Sequence, residues 1–264
     1  MDTIEAIILG IVQGLTEFLP VSSSGHLQIA KALMGVEIEQ NLLFDVTLHA
    51  ATVLSTIVVL WSEVARLLRG LFSRRFNEEQ AYVLKLLLSM IPIGIVGFTL
   101  KDRLDALLES PAILLVVGCM LLVTAALLAF AYYAEPRQKA QLSYRDAFLI
   151  GVAQAVAALP GLSRSGSTIA TGLLLGNRKQ TVAQFSFLMV LAPILGETFL
   201  ELMKGNLGAQ AIGSAPLAAG FVAAFVVGCL ACKFMIEIVK RGKLVWLALY
   251  CEAAGTVSIL SSVL

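Results

Sequence analysis

Long apolar runs, broken by short polar connections, occupy most of this chain. A helix needs roughly 20 apolar residues to cross the hydrocarbon core of a bilayer. Residues 42–61, 82–100, 112–133, 182–203, 216–238 and 244–264 meet that requirement and predict six transmembrane helices. Two further stretches, 3–34 and 145–176, are equally apolar but interrupted near their middles, at Pro20 to Gly25 and at Pro160 to Gly166. Irregular backbone at membrane depth survives only where protein buries it or where it lines a wet cavity. Each interrupted stretch therefore predicts a re-entrant helical hairpin that enters and leaves on one face. The alternative is a pair of ordinary spans joined by a surface loop. The expected fold is an all-α polytopic membrane protein with six transmembrane helices plus two re-entrant helical hairpins.

The two interrupted stretches are related. GIVQGLTEFLPVSSSGH begins at Gly10 and GVAQAVAALPGLSRSGST begins at Gly151. A shift of 141 positions superposes Gly10 on Gly151, Gln13 on Gln154, Ser22 on Ser163, Ser24 on Ser165 and Gly25 on Gly166. The register continues through Gly35 with Gly176, Phe44 with Phe185 and Ala51 with Ala192. The chain thus reads as one membrane domain, 1–264. Repeat one covers about 3–133, with its hairpin at 3–34, and repeat two about 145–264, with its hairpin at 145–176.

Charge placement orients the repeats. Lys and Arg gather at Arg66, Arg69, Arg74 and Arg75, at Arg137, Lys139 and Arg145, at Arg178 and Lys179, and at Lys240, Arg241 and Lys243. The other connections hold only Lys31, Lys101, Arg103 and Lys204. With six spans and two hairpins, all the rich connections fall on one side, which the positive-inside rule makes cytoplasmic. Both termini then face outward. Three crossings separate the hairpins, so the second copy is inverted. Inverted-topology repeats place sites near the midplane, where broken helices meet.

Composition narrows the class. The 264 residues are 58% hydrophobic and 14% charged, with a mean hydropathy of +0.88, which excludes an ordinary soluble domain. A net charge of +1, with no basic stripe beside an aromatic platform, argues against nucleic acid as a partner. The first residues, MDTIEAIILG, lack the basic flank of a signal peptide. Cys119, Cys229, Cys232 and Cys251 all lie in apolar runs and read as small buried hydrophobes.

The hairpin breaks carry the candidate chemistry. Gln13 and Glu17 are spaced i, i+4 and share a helix face. Ser22, Ser23, Ser24 and His26 follow the first break, and Ser163, Arg164, Ser165, Ser167 and Thr168 follow the second. Ionisable groups in lipid are costly and therefore functional by default. The first copy offers a carboxylate, an imidazole and hydroxyls. The second offers a permanent cation and hydroxyls at a helix start, where free N–H groups favour an anion. Together they point to phosphate binding with acid–base or nucleophilic chemistry. Each residue also has a plainer reading. Glu17 could only balance Arg164, Ser22 to Ser24 could only turn and cap the chain, His26 could be packed, and Gln13 could join helices. His49 reads as structural, and Asp45, Glu197, Glu201 and Glu252 as packing or pathway residues. Gly25, Gly161 and Gly166 mark tight backbone.

At these residues the chain resembles the undecaprenyl-diphosphate phosphatase family, the bacitracin-resistance proteins of bacteria. Gln13 to Glu17 followed by Pro20-Val21-Ser22-Ser23-Ser24-Gly25-His26 is similar to the first family motif. Pro160-Gly161-Leu162-Ser163-Arg164-Ser165-Gly166-Ser167-Thr168 is similar to the second. The resemblance implies a multi-pass enzyme of the bacterial inner membrane. Such an enzyme hydrolyses undecaprenyl diphosphate to undecaprenyl phosphate and phosphate, recycling the carrier for cell-wall synthesis. It also implies a divalent cation, Mg²⁺ or Ca²⁺, held in part by Glu17. The catalytic residues it implies are Glu17, His26, Ser23 and Arg164, with His26 and Ser23 as rival nucleophiles. Gln13, Ser22, Ser24, Ser163, Ser165, Gly166 and Thr168 would line the substrate site. Position 13 is Gln rather than Glu, which removes one carboxylate from any metal site. The resemblance further implies lipid as a partner and a pocket reached from the outer face, and it leaves a homodimer open. Inverted repeats alone are equally compatible with a lipid-phosphate flippase or a small-molecule transporter.

Overall fold

The computed structural model describes residues 1–36, 42–108, 110–133, 138, 139, 141–196 and 213–263. The described residues are overwhelmingly helical, and the isolated bridge between Lys139 and Asn177 is a single backbone contact. The first interrupted stretch forms α1 (Thr3–Thr16) and α2 (Ser23–Met34). Asp2 opens α1 through a capping box with Glu5, each backbone N–H donating to the other's carboxylate at 2.7 Å. The second forms α8 (Tyr144–Val156) and α9 (Arg164–Leu174). Between them lie α3 (Leu42–Val59), α4 (Trp61–Leu71), α5 (Glu78–Thr99), α6 (Lys101–Leu108) and α7 (Ile113–Tyr133). After α9 come α10 (Lys179–Met189), α11 (Ser214–Arg241) and α12 (Val245–Val263).

Four of these helices, α5, α7, α11 and α12, are long and apolar enough to cross a membrane, and α3 with α4 counts as a fifth if taken together. Large apolar side chains on their outer faces, such as Phe98, Leu230 and Trp246, are exposed. That is the arrangement expected of a multi-pass membrane protein, in which lipid contacts the outer surface.

Two expectations need correction. The connection 62–81 is not simply a loop. After α3 the chain bends by 81° into α4, whose Leu67 is buried while Trp61, Leu68 and Leu71 are exposed. Its last carbonyls are closed by α5: Asn77 donates to the Gly70 carbonyl at 2.9 Å, and Gln80 to those of Leu71 and Ser73 at 3.1 and 3.0 Å. This sequence alternates apolar and charged residues at helical spacing, so its mean hydropathy is low although it is helical. The apolar run 182–203 is interrupted as well. Helix α10 ends at Met189, Val190 is a turn, and 191–196 are helical again; the rest of that run, with Glu197 and Glu201, lies outside the described residues.

The repeated residues perform repeated tasks. Ser22 caps α2 by accepting from the Gly25 N–H, and Ser163 caps α9 by accepting from the Gly166 N–H. Gly35 and Gly176, beyond the two helix ends, both take positive φ. Phe44 and Phe185 are both fully buried. The halves are also interleaved. Helix α1 packs on α11, and α8 on α5. A Cβ at Gly10 would lie 2.5 Å from the Gly220 carbonyl oxygen, so small residues let these backbones touch, as is usual between membrane helices. Helix α7 packs along α12, with Gly118 and Gly255 facing each other.

Candidate functional site

The two breaks interlock. Ser165 Oγ donates to the Leu19 carbonyl at 3.2 Å, and Gly166 lies against Pro20. Both breaks rest on α7. Gly161, at φ +90°, lies so close to Val117 that a Cβ would stand 2.7 Å from its carbonyl oxygen, and Val117 also abuts Gly25. Thr124 of α7 accepts from the Ser163 N–H at 3.0 Å. The starts of α2 and α9 thus converge, and each carries the positive end of a helix dipole.

Glu17 sits at this convergence. It is the residue that ends α1, and it is 7% exposed. Its carboxylate accepts from Ser23 Oγ at 2.8 Å and from Gln13 Nε2 at 3.1 Å, and it pairs with Arg164 of the opposite hairpin. Gln13 is fully buried, and its Oε1 has no partner. The reverse amide orientation would set that oxygen against the carboxylate, so the free acceptor is the oxygen. Arg164 also donates to the Ser186 carbonyl at 3.4 Å. The Ser186 hydroxyl lies 2.6 Å from Thr168 Oγ1, and Thr168 in turn donates to the Arg164 carbonyl at 2.9 Å. The guanidinium is therefore fixed at both ends.

The sequence-derived residues separate into groups. Gln13, Glu17, Ser23, Arg164 and Thr168 form one connected network. Ser22, Ser163 and Gly166 build the helix starts, with Ser163 Oγ 3.3 Å from Ser165 Oγ. Ser24 is exposed and lies 3.4 Å from Ser22 Oγ. His26 stands apart: its Nδ1 is 2.9 Å from the Ser22 carbonyl and its Nε2 is 2.7 Å from the Tyr250 hydroxyl. The imidazole beside Glu17 is instead His49, with Nδ1 3.2 Å from Gln13 Nε2 and 4.0 Å from the carboxylate. Asp45, on the same helix, pairs with the buried Lys31 at 2.8 Å. The sequence reading did not place His49 in this network and did not name Ser186, Thr124 or Tyr250. A signal for the first existed: Asp45, His49, Thr52 and Thr56 form a polar stripe at helical spacing within an apolar helix.

The ion pair borders a small, tight pocket with mostly apolar walls. Phe18, Val53, Phe187, Val190 and Ile194 line it, with Thr52 and Thr56, and Glu17 and Arg164 close it. Among the described residues no three His, Cys, Asp or Glu gather as a metal cluster. The oxygen donors present are the Glu17 carboxylate, the free Gln13 amide oxygen and the Ser23 hydroxyl. Hard donors of this kind suit Mg²⁺ or Ca²⁺, provided that ligand and water oxygens complete the shell.

An apolar helical frame around two broken hairpins that share one buried ion pair defines an integral membrane protein with its polar site between the breaks. The chain belongs to a family of such proteins, described as Bacitracin resistance protein BacA, whose sequence model matches residues 6–257. A protein named undecaprenyl-diphosphatase from Parabacteroides distasonis is 61% identical over the full length of both chains. One of the same name from Bacteroides thetaiotaomicron is 57% identical over 99% of both. A further relative so named, from Methanosphaera stadtmanae, is 34% identical over 100% of this chain and 99% of its own.

Proposed function

We propose that the chain is a membrane phosphatase that hydrolyses undecaprenyl diphosphate to undecaprenyl phosphate and phosphate. In a bacterial inner membrane this recycles the lipid carrier for cell-wall synthesis and lowers sensitivity to bacitracin. The observation that carries the reading is the Glu17–Arg164 pair, with Ser23 bonded to the carboxylate, between the two hairpin breaks. The amphiphilic substrate matches the setting: its isoprenoid tail suits the exposed apolar helix faces and its diphosphate the guanidinium and helix starts. The full-length similarity to proteins named for this activity supports the same reading.

Each step falls to a residue of the chain. Arg164, steadied by Ser186 and Thr168, turns from Glu17 to the phosphate oxygens and stabilises the charge that develops in transfer. Glu17, freed of its partner, takes the proton of Ser23 Oγ. Ser23 attacks the terminal phosphorus, the anhydride P–O bond breaks, and undecaprenyl phosphate leaves. Water then cleaves the phosphoserine, with an imidazole moving the proton. The hydrogen bond from Ser23 to Glu17 favours Ser23 over His26 as nucleophile, since nucleophile and base are already within reach. A divalent cation bound by Glu17, Gln13 Oε1 and the diphosphate would neutralise phosphate charge.

For the membrane arrangement we propose six spans and two re-entrant hairpins in an inverted repeat. The arginine-rich connections would be cytoplasmic, both termini outside, and the pocket reached from the outer face. The duplicated caps at Ser22 and Ser163 support the repeat, and the exposed arginines of one connection support the orientation. A cysteine placed at Ser262 should react with a membrane-impermeant maleimide in intact cells, and one placed at Ser73 only once the membrane is opened.

The enzymatic reading is tested by phosphate release from undecaprenyl diphosphate by protein in detergent, where no gradient can drive transport. Arg164→Ala and Glu17→Gln should each lower kcat/KM by about 100-fold or more, the size typical of removing a group that stabilises transferred charge. Near-normal turnover by either would refute the assignment. An acid quench that traps phosphohistidine rather than phosphoserine would transfer the nucleophile to an imidazole.

A further inference from the structure

We infer that Tyr250 is a positioning residue for His26, holding the imidazole in one tautomer and one plane at the mouth of the first hairpin break. The role of His26 in catalysis rests on the function proposed above; the contact itself does not.

Ser22 is a non-glycine residue at φ +69°. Its carbonyl lies 3.1 Å from the His26 backbone nitrogen and 2.9 Å from His26 Nδ1. A carbonyl can only accept, so Nδ1 carries a proton. In the neutral ring Nε2 is then the acceptor, and the Tyr250 hydroxyl, 2.7 Å away, donates to it. The two rings are stacked, with centroids 5.6 Å apart and planes 21° apart. Both ring nitrogens and one ring face are thus engaged. In an enzyme that moves protons through a histidine, the group on the second nitrogen decides which nitrogen is available.

Tyr250 is well placed to impose this geometry. It is carried by α12, which is joined to the same hairpin at the next residue, where Cys251 Sγ donates to the Pro20 carbonyl at 3.3 Å. Helix α12 is anchored on α7 by Ser258 Oγ, which donates to the Leu114 carbonyl at 2.8 Å. Helix α7 in turn supports both breaks through Val117. The phenol is nonetheless 47% exposed, so it can yield its place on Nε2 to another donor, the attacking water or a protonated phosphate oxygen. Tyr250 holds the ring until substrate engages it.

Tyr250→Phe keeps the stacked ring and removes only the hydroxyl. In the phosphate-release assay it should lower kcat by about tenfold or more with KM within about twofold, as when the group that orients a catalytic histidine is lost. The second readout is nitrogen NMR of protein labelled at histidine. The chain has only two histidines, and His49→Asn assigns their signals. The wild-type His26 signals should be those of the Nδ1–H tautomer, and those of Tyr250→Phe should move toward a mixture. Unchanged tautomer in Tyr250→Phe would overturn the inference, and so would a changed tautomer with unchanged kcat. Full activity in His26→Ala would remove His26 from the mechanism and, with it, the positioning role, while the rest of the phosphatase reading would still stand on Arg164 and Glu17.

Discussion

At the scale of single residues the site is governed by one buried ion pair. Removing one member of such a pair leaves the other charge without a partner, at a cost of about 3–5 kcal/mol where both are desolvated. Glu17→Ala should therefore lower stability as well as activity, visible as a lower thermal midpoint in detergent, whereas Glu17→Gln should spare more of the fold. Ser186 touches Arg164 only through its carbonyl and Thr168 through its hydroxyl. Ser186→Ala should cost about fivefold to tenfold in kcat/KM, as expected for one lost orienting hydrogen bond. Thr168→Val should cost a similar amount, and the double variant little more, because the two side chains act as one support. Initial rates of the four proteins check this cycle. Glu17, Ser23 and Arg164 were legible in the sequence because charges and hydroxyls stand out in apolar surroundings. Ser186 and Tyr250 were not. One is a lone hydroxyl on an apolar helix, and the other meets its partner across 224 residues, a distance that no local pattern spans.

At the scale of elements, the hairpin breaks were the most readable features because their chemistry is local. A proline stops each helix, a serine starts the next, and glycine lets the turn close. Gly161 tests this account. It takes φ +90° against Val117, so Gly161→Ala combines backbone strain with a clash and should cost about 2 kcal/mol or more. Loss of thermal stability together with activity would be the expected result. Helix α4 escaped the sequence reading for the opposite reason, since its charges outweigh its apolar stripe when hydropathy is averaged. Its exposed Trp61 beside Leu68 and Leu71 suits the plane where headgroups meet acyl chains. In a Trp246→Phe background, Trp61 fluorescence should be quenched by lipids brominated near the headgroup more strongly than by those brominated at the chain ends.

At the scale of the whole molecule, the halves are interleaved rather than stacked. The first hairpin packs on α11 and the second on α5, so each half lends a long helix to the hairpin of the other. Expressed as separate chains cut within the connection before α8, neither half should hydrolyse substrate. Co-expressed halves should copurify through a tag on one and regain phosphate release. The likeness of the two halves was visible in the sequence through glycines and serines that keep their register. The interleaving was not, because the small residues that allow close contact carry no mark of which helix they will meet.

The ion pair between the two breaks carries a consequence for how such a chain could have arisen. Under the register that matches the two copies, Ser23 corresponds to Arg164, Glu17 to Ala158 and His26 to Ser167. The copies share scaffolding and differ in charge. An assembly of two identical first halves would bury two Glu17 carboxylates with no guanidinium to balance them, and two second halves would bury two guanidinium groups with no carboxylate. Buried charges without partners are costly. Symmetry is therefore tolerable in the frame but not at its centre, and a tandem protein of two first halves should assemble only when its second Glu17 is replaced by a neutral residue.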